Sequence, residues 1–228
     1  MKRPRLSAIL ILPLALACLM TAGTGSAVAR FVSGATVGGN NFTAGTWAYY
    51  LHHNPTPPLA NTTAQVNLTM NATVPTAAAL YRYSTDCAAQ PGRRITRAAP
   101  SPTQATVCRY VNWRTTGLAI ALRLSGAITV DIWSATDTAN ANRTGGIVAY
   151  LRDYNGATYT EIANGIYSQT YVVGRTFYHL PITVTVTTPY TLAAGHQLEL
   201  KLVASNTYQS NMLVAYDTTT YPSFLRVR

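Results

Sequence analysis

Charge is scarce in this sequence, and lysine is almost absent. Only 11% of the 228 residues are charged, with seventeen basic residues against seven acidic ones. Arginine supplies nearly all of the basic charge, because the chain has one lysine, Lys201, after residue 2. The basic residues are scattered apart from a cluster at Arg93, Arg94 and Arg97. This distribution indicates a surface with a positive bias, and we expect no nucleic-acid partner.

The usual signatures of catalysis and of zinc binding are also missing. The chain contains no H-E-x-x-H, no G-x-S-x-G and no S-x-x-K, the patterns typical of metalloproteases and serine hydrolases. Zinc needs three or four convergent ligands, and the adjacent His52 and His53 would point to opposite faces of a strand. The sequence therefore predicts a protein that is not an enzyme and has no cofactor.

A structural calcium is the one metal that stays open as an alternative. Asp153, Asn155 and Gly156 resemble the start of an oxygen-ligand loop, although the later acidic ligand of an EF-hand is missing. Further oxygen ligands would have to come from the other aspartates: Asp131, Asp137 and Asp217. A hairpin turn at Asn155-Gly156 explains the same residues without a metal.

The first thirty residues have the layout of a secretory signal peptide. Three basic residues precede an apolar run over 6–20, and small residues end in an A-x-A site at Ala29. The run is too short for a permanent membrane span. We therefore expect a cleaved signal peptide over 1–29 and a single secreted domain over 30–228, extracellular or at the cell surface. Cleavage before a lipidated Cys18 is the alternative.

Cysteine is rare, and its positions predict one disulfide. Cys18 would leave with the signal peptide, so that Cys87 and Cys108 remain in an oxidising compartment. A bond between them would close a loop of about twenty residues and stabilise the fold by roughly 3 kcal/mol. The segment 86–108, rich in proline and arginine, is expected to be an exposed loop held by this bond.

The rest of the chain alternates apolar and polar residues with a period of two and shows no long helical stripe. Asn155-Gly156 predicts a hairpin, and Asn164-Gly165 predicts the next turn. About ten strands at roughly ten-residue spacing predict an all-β fold, a two-sheet antiparallel sandwich of jelly-roll type, with an immunoglobulin-like sandwich as the alternative. The clearest alternating segments are 65–71, 127–134, 181–187, 196–203 and 212–216.

Two segments carry a resemblance to known proteins. Phe31 to Trp47 contains N-N-F-T-A-G-T before a hydrophobic strand and resembles the mature N-terminus of secreted camelysin and TasA-type proteins. The resemblance implies a jelly-roll matrix protein, in some members a fibre subunit whose N-terminal strand completes the next subunit's sheet. Tyr190 to Leu202 resembles a strand pair of bacterial jelly-roll accessory modules, including those appended to hydrolases. The implied assembly residues are Phe31, Asn41, Phe42, Gly45 and Thr46.

These observations favour a secreted, non-catalytic structural protein of the extracellular matrix that polymerises with itself. The alternative hypothesis is a carbohydrate-binding module, whose partners would be surface glycans or anionic polymers. It rests on the fifteen tyrosines and three tryptophans of the chain, because aromatic rings on a sheet can stack on sugars. The expected stacking residues are Trp133, Tyr150, Tyr154 and Tyr159.

Overall fold

The computed structural model describes residues 47–53, 68–78 and 92–227. These residues belong to one of two compact units, Ala44–Arg228. The predicted signal peptide, Cys18 and the segment expected to drive assembly, 31–46, lie outside the described residues. So does Cys87, and the predicted disulfide with the buried Cys108 therefore stays a prediction.

The described chain is all-β, as the sequence predicts, and contains eleven strands. Among the described residues no helix is long and apolar enough to cross a membrane. In chain order the strands are β1 (Trp47–His52), β2 (Leu68–Asn71), β3 (Arg93–Ile95), β4 (Tyr110–Arg114), β5 (Leu122–Thr136), β6 (Arg143–Tyr154), β7 (Tyr159–Tyr171), β8 (Tyr178–Leu192), β9 (Gln197–Ala204), β10 (Met212–Ala215) and β11 (Phe224–Val227).

Hydrogen bonds join all eleven strands into one sheet. Its order is β3-β10-β5-β11-β1-β2-β4-β9-β6-β7, and β8 pairs with β5 off this path. The strands pair antiparallel except β2 and β4, which run parallel. The long β5–β8 ladder shifts register between Leu124 and Gly126. Gly126 has a φ of 71°, a conformation that glycine adopts without steric cost, and so permits this irregularity.

Burial follows the period of two where one face of a strand meets the core. In β8 the residues Ile182, Val184 and Val186 are buried, and the threonines between them are exposed. The central strand β9 departs from this pattern. Its leucines are buried as predicted, yet Glu199 and Lys201 on the opposite face are only 0% and 2% exposed. That face is therefore covered as well.

The cover comes from the segment between β3 and β4. Within 86–108, predicted as an exposed loop, the structure places the strand β3, in which Ile95 is fully buried and pairs with Met212 of β10. The residues that follow pass over β9, where backbone oxygens of Pro102 and Gln104 accept hydrogen bonds from Lys201. This arrangement creates the site described below.

The sequence predicts the position of a turn correctly at one of its two Asn-Gly pairs. Asn155-Gly156 joins β6 to β7, with Tyr154 opposite Tyr159. The turn predicted at Asn164-Gly165 is wrong, because both residues lie inside β7. Gly165 instead allows β7 to approach β8: a Cβ on Gly165 would lie 2.1 Å from the carbonyl oxygen of Thr183.

We expect Gly165→Ala to lower the free energy of unfolding by about 1–3 kcal/mol, the usual cost of overpacking. The added methyl would overlap the Thr183 oxygen, which the β5–β8 ladder holds in place opposite Thr129. Gly145→Ala is the matched control, since its Cβ would overlap the flexible end of the Met212 side chain and lie 3.1 Å from the Tyr171 ring, with no backbone atom among these neighbours. Urea unfolding followed by tryptophan fluorescence measures both. A loss no larger for Gly165→Ala than for Gly145→Ala would contradict the close approach.

Candidate functional site

A fully buried carboxylate, Glu199, lies in the first half of β9 and is held by two arginines. Arg114 donates from Nε to Oε2 at 2.7 Å, and Arg152 donates from Nε to Oε1 at 2.8 Å, with a second, shorter bond from Nη2. The side-chain amide of Asn112 donates to Oε2 at 2.9 Å. Both carboxylate oxygens are therefore satisfied, as a buried charge requires.

The register of three adjacent strands brings these groups together. The β4–β9 ladder places Arg114 opposite Glu199, and the β6–β9 ladder places Arg152 opposite the same residue. Residues two positions apart on a strand share a face, so Asn112 lies beside Arg114 and faces Lys201 across the ladder. Charged residues of three strands thereby converge on one face of the sheet.

Lys201 is the second buried charge on this face. Its Nζ donates to the carbonyl oxygen of Pro102 at 2.8 Å and to that of Gln104, and it lies 4.5 Å from the centre of the Tyr110 ring. Burial, with the nearby Arg152 guanidinium as a smaller cause, lowers the pKa of Lys201 to about 8, although Glu199 acts in the opposite direction. The hydrogen-bond partners of the Lys201 amine are these two backbone oxygens.

Two tyrosines form a wall beside the charged cluster. Tyr154 and Tyr159 stack with their ring centres 4.7 Å apart. The Arg114 guanidinium lies 4.1 Å from the centre of the Tyr154 ring, and that of Arg152 lies 4.1 Å from the centre of the Tyr159 ring. Such cation–π contacts are favourable, so the arginines that hold Glu199 also fix the position of the aromatic wall.

Together these residues surround a cavity of about 430 Å³, which we call the basic pocket. It lies between the segment 103–105 and the hairpin residues 157–159, and this volume falls within the range of small-molecule sites. Arg152 and Lys201 are the charged residues that line it, and no acidic side chain lines it, so the local charge is positive. Its principal side chains are Tyr110, Asn112, Arg152, Tyr159 and Lys201.

A second, smaller cavity of about 270 Å³ is also polar. Its acid, Asp137, accepts hydrogen bonds from Arg94 and from Asn211, each at 2.9 Å. Arg97, which also lines this cavity, donates to the carbonyl oxygen of Tyr208. Two arginines, Arg97 and Arg143, and one acid, Asp137, line this cavity, whereas two cations and no acid line the basic pocket.

The residues expected to stack on sugars do not form one exposed strip. Tyr154 and Tyr159 stack on each other beside the basic pocket. Tyr150 is 4% exposed and packs in a small cluster with Val148 and Val203. Trp133 packs against His179 and Tyr221, with ring centres 5.4 and 5.2 Å apart.

The aspartates considered for calcium are likewise dispersed. Asp131, Asp153 and Asp217 each bond a different histidine, His179, His196 and His52, at 2.8–2.9 Å. In the part of the chain that the structure describes, no three histidine, cysteine or acidic residues are grouped closely enough to hold a metal. In the same part, none of these three histidine rings hydrogen-bonds a serine hydroxyl.

Sequence reasoning missed the basic pocket. The sequence contains one signal of it, because Arg152, Glu199 and Lys201 lie in strands rich in buried apolar residues, in a chain with few charges. Each of these residues alternates with buried leucines or alanines, which is equally typical of a solvent-exposed strand face. Only the long-range pairing of β4, β6 and β9 shows that they meet.

No family model and no curated protein matches the chain, but solved structures share its fold. An α-amino acid ester hydrolase has a TM-score of 0.55 at 13% identity and is matched over 81% of this chain and 36% of its own. An aminopeptidase from the marine sediment archaeon Thaumarchaeota archaeon has a TM-score of 0.51 at 12% identity, with the same coverages. A CocE/NonD family hydrolase from Staphylococcus aureus has a TM-score of 0.51 at 10% identity, over 80% and 36%.

These neighbours correct the functional hypothesis. The chain spans little more than a third of each of these hydrolases, and identities this low show the fold alone. These three neighbours are nevertheless all hydrolases, a finding that contradicts the prediction of a non-catalytic matrix protein, its carbohydrate-binding alternative and the expectation that the protein is not an enzyme. Those hypotheses rested on residues 31–47, nearly all outside the described chain, and on aromatic residues that the fold separates.

We expect Glu199→Gln to lower the free energy of unfolding by about 3–5 kcal/mol, because it leaves two guanidinium groups without their buried counter-ion. Glu161→Gln is the control, since Glu161 is an exposed acid that accepts one hydrogen bond from Asn164, and a surface change of this kind costs less than about 0.5 kcal/mol. Urea unfolding at pH 7 compares them. Similar losses for both variants would show that Glu199 does not hold the strands together.

We expect the Lys201 amine to titrate with a midpoint of about pH 8. The ¹³Cε NMR signal of the lysine measures this midpoint. Lys2→Arg leaves Lys201 as the only lysine and makes the assignment unambiguous. The pKa of Lys201 is lower in the folded chain than in the unfolded chain, so the charged amine destabilises the fold. This destabilisation has its full size below about pH 8. This cost disappears as the pH rises toward 10.5. A midpoint near that of an exposed lysine would contradict the described environment.

Proposed function

We propose that this chain takes part in the hydrolysis of esters or amides and that the basic pocket binds the acidic group of the substrate or product. The observation that carries the proposal is the charge of the pocket, because the cations Arg152 and Lys201 line it and no acidic side chain does. Hydrolysis of an ester or amide passes through an oxyanion and releases a carboxylate. Guanidinium and ammonium donors bind both strongly.

Donor groups remain for a ligand. Lys201 uses two of its three N–H groups on Pro102 and Gln104. Arg152 has five N–H groups, of which three bond Glu199 and Pro102. A carboxylate that enters the pocket would meet these donors at one end, and the Tyr159 ring would contact its apolar part.

The fold supports the same proposal. The neighbours with this fold include an α-amino acid ester hydrolase and an aminopeptidase, and we propose that the chain corresponds to a β-domain of such enzymes. We also propose that the eleven-stranded sheet folds into a sandwich of jelly-roll type. The alternating burial of β8 and the approach of Gly165 in β7 to Thr183 in β8 support this arrangement.

We further propose that the activity lies outside the cytoplasm. The support for a secreted location is the sequence of residues 1–29, with a basic start, an apolar run and an A-x-A site. An extracellular hydrolase of small esters or amides is compatible with that location, since it needs no nucleotide cofactor.

Activity and binding measurements on the full chain test the proposal. We expect release of p-nitrophenol from p-nitrophenyl esters or of p-nitroaniline from amino acid anilides, and binding of phenylacetate measured by calorimetry. Lys201→Met should raise the Kd for phenylacetate by about tenfold, the loss of one charge-assisted bond. Arg123→Met, which removes an exposed arginine of β5, should leave the Kd unchanged.

Two results would overturn the proposal. A protein that releases neither product would rule out hydrolysis by this chain. Equal phenylacetate affinities for wild type, Lys201→Met and Arg123→Met would show that the basic pocket is not the binding site.

A further inference from the structure

The amine of Lys201 lies in an environment that is unusual for a lysine. Its side chain is 2% exposed and lines the basic pocket. No carboxylate among the described residues forms an ion pair with it, because the nearby Glu199 is bound by Arg114, Arg152 and Asn112. Its partners are backbone carbonyl oxygens, which accept a hydrogen bond from an amine and from an ammonium alike.

This environment favours the neutral amine. Burial disfavours the charged form of a lysine, and the neighbouring guanidinium repels it. Since the pKa is about 8, about half of the Lys201 amines carry a free lone pair at pH 8, against less than about 1% for a lysine in water. Desolvation and a nearby cation are the conditions that convert a lysine into a nucleophile toward carbonyl carbon.

A second cation lies beside this amine. Lys201 Nζ and Arg152 Nη1 donate to the same carbonyl oxygen, that of Pro102, at 2.8 and 2.5 Å, so the two nitrogens are at most about 5 Å apart. A separation within that limit allows both nitrogens to reach one small molecule in which a carbonyl carbon is attached to a carboxylate group. The carboxylate would pair with Arg152 while the carbonyl carbon reaches Lys201.

We propose that Lys201 is a reactive amine that condenses with small 2-oxo acids in the basic pocket to form an imine. The Nζ lone pair forms a bond to the carbonyl carbon as the carbon–oxygen π bond breaks, and one proton passes from Nζ to the oxygen to give a carbinolamine. The hydroxyl group then leaves with the second Nζ proton as water, so that one amine and one carbonyl group give one imine and one water. No oxidant or reductant is needed. This step does not depend on hydrolysis.

Reductive trapping in the full chain tests the inference. Lys2→Arg leaves Lys201 as the only lysine, and adding Arg123→Lys places an ordinary exposed amine on β5 of the same molecule as an internal reference. The protein is incubated at pH 8 with pyruvate and cyanoborohydride, and peptide mass spectrometry follows the adduct at each position. We expect trapping at Lys201 to be at least about tenfold faster than at position 123, and to lose that advantage in urea.

Two comparisons complete the experiment. Lys201→Arg keeps the charge but lacks the nucleophile, so its adduct at position 201 should be absent. The ratio of the trapping rate at Lys201 to that at position 123 should be lower for acetone, which lacks the carboxylate, than for pyruvate.

Equal or slower trapping at Lys201 than at position 123 would overturn the reactive amine. The same ratio of trapping at Lys201 to trapping at position 123 for acetone and for pyruvate would overturn the assignment of 2-oxo acids. Because the readout is an adduct, failure here is distinct from a failure to hydrolyse esters.

Discussion

A carboxylate is costly to bury unless cations reach it, and the basic pocket depends on how this chain meets that requirement at Glu199. The residue sits on the central strand β9, and its two arginines come from the strands on either side. Once bound to Glu199, Arg152 also reaches the carbonyl oxygen of Pro102, and Arg114 lies over the Tyr154 ring. The strands, the covering segment and the aromatic wall are therefore linked through one buried group.

The same arrangement leaves Lys201 without a carboxylate of its own. Glu199 is occupied by its arginines, and Lys201 is held by two backbone oxygens of the segment that covers β9. The result is a pocket with surplus positive charge and an amine whose proton is weakly held. The proposed binding of a carboxylate and the proposed condensation with oxo acids both rest on that surplus, and both proposals place the ligand beside Arg152 and Lys201.

Local pattern predicted the strands well and the site poorly. The alternation of Ile182, Val184 and Val186 with threonines identified β8, and Asn155-Gly156 identified the β6–β7 hairpin, because both depend on neighbouring residues. The polar face of β9 has the pattern of a solvent-exposed strand face, and nothing near Lys201 in the sequence shows that residues about a hundred positions earlier cover it. Asn164-Gly165 looked like a turn for the same reason: the close approach of Thr183 that requires glycine there is a tertiary contact.

The most direct test of this account is a ¹H–¹⁵N NMR titration of the full chain with phenylacetate, with the arginine Nε–H signals resolved. We predict that the signals of Arg114 and Arg152 and the amide of Asn112 shift together and saturate. The signals of Arg97 and Asn211 at the second cavity should stay unchanged. Shifts at the second cavity without any at the basic pocket would contradict the claim that the cluster around Glu199 forms the ligand site.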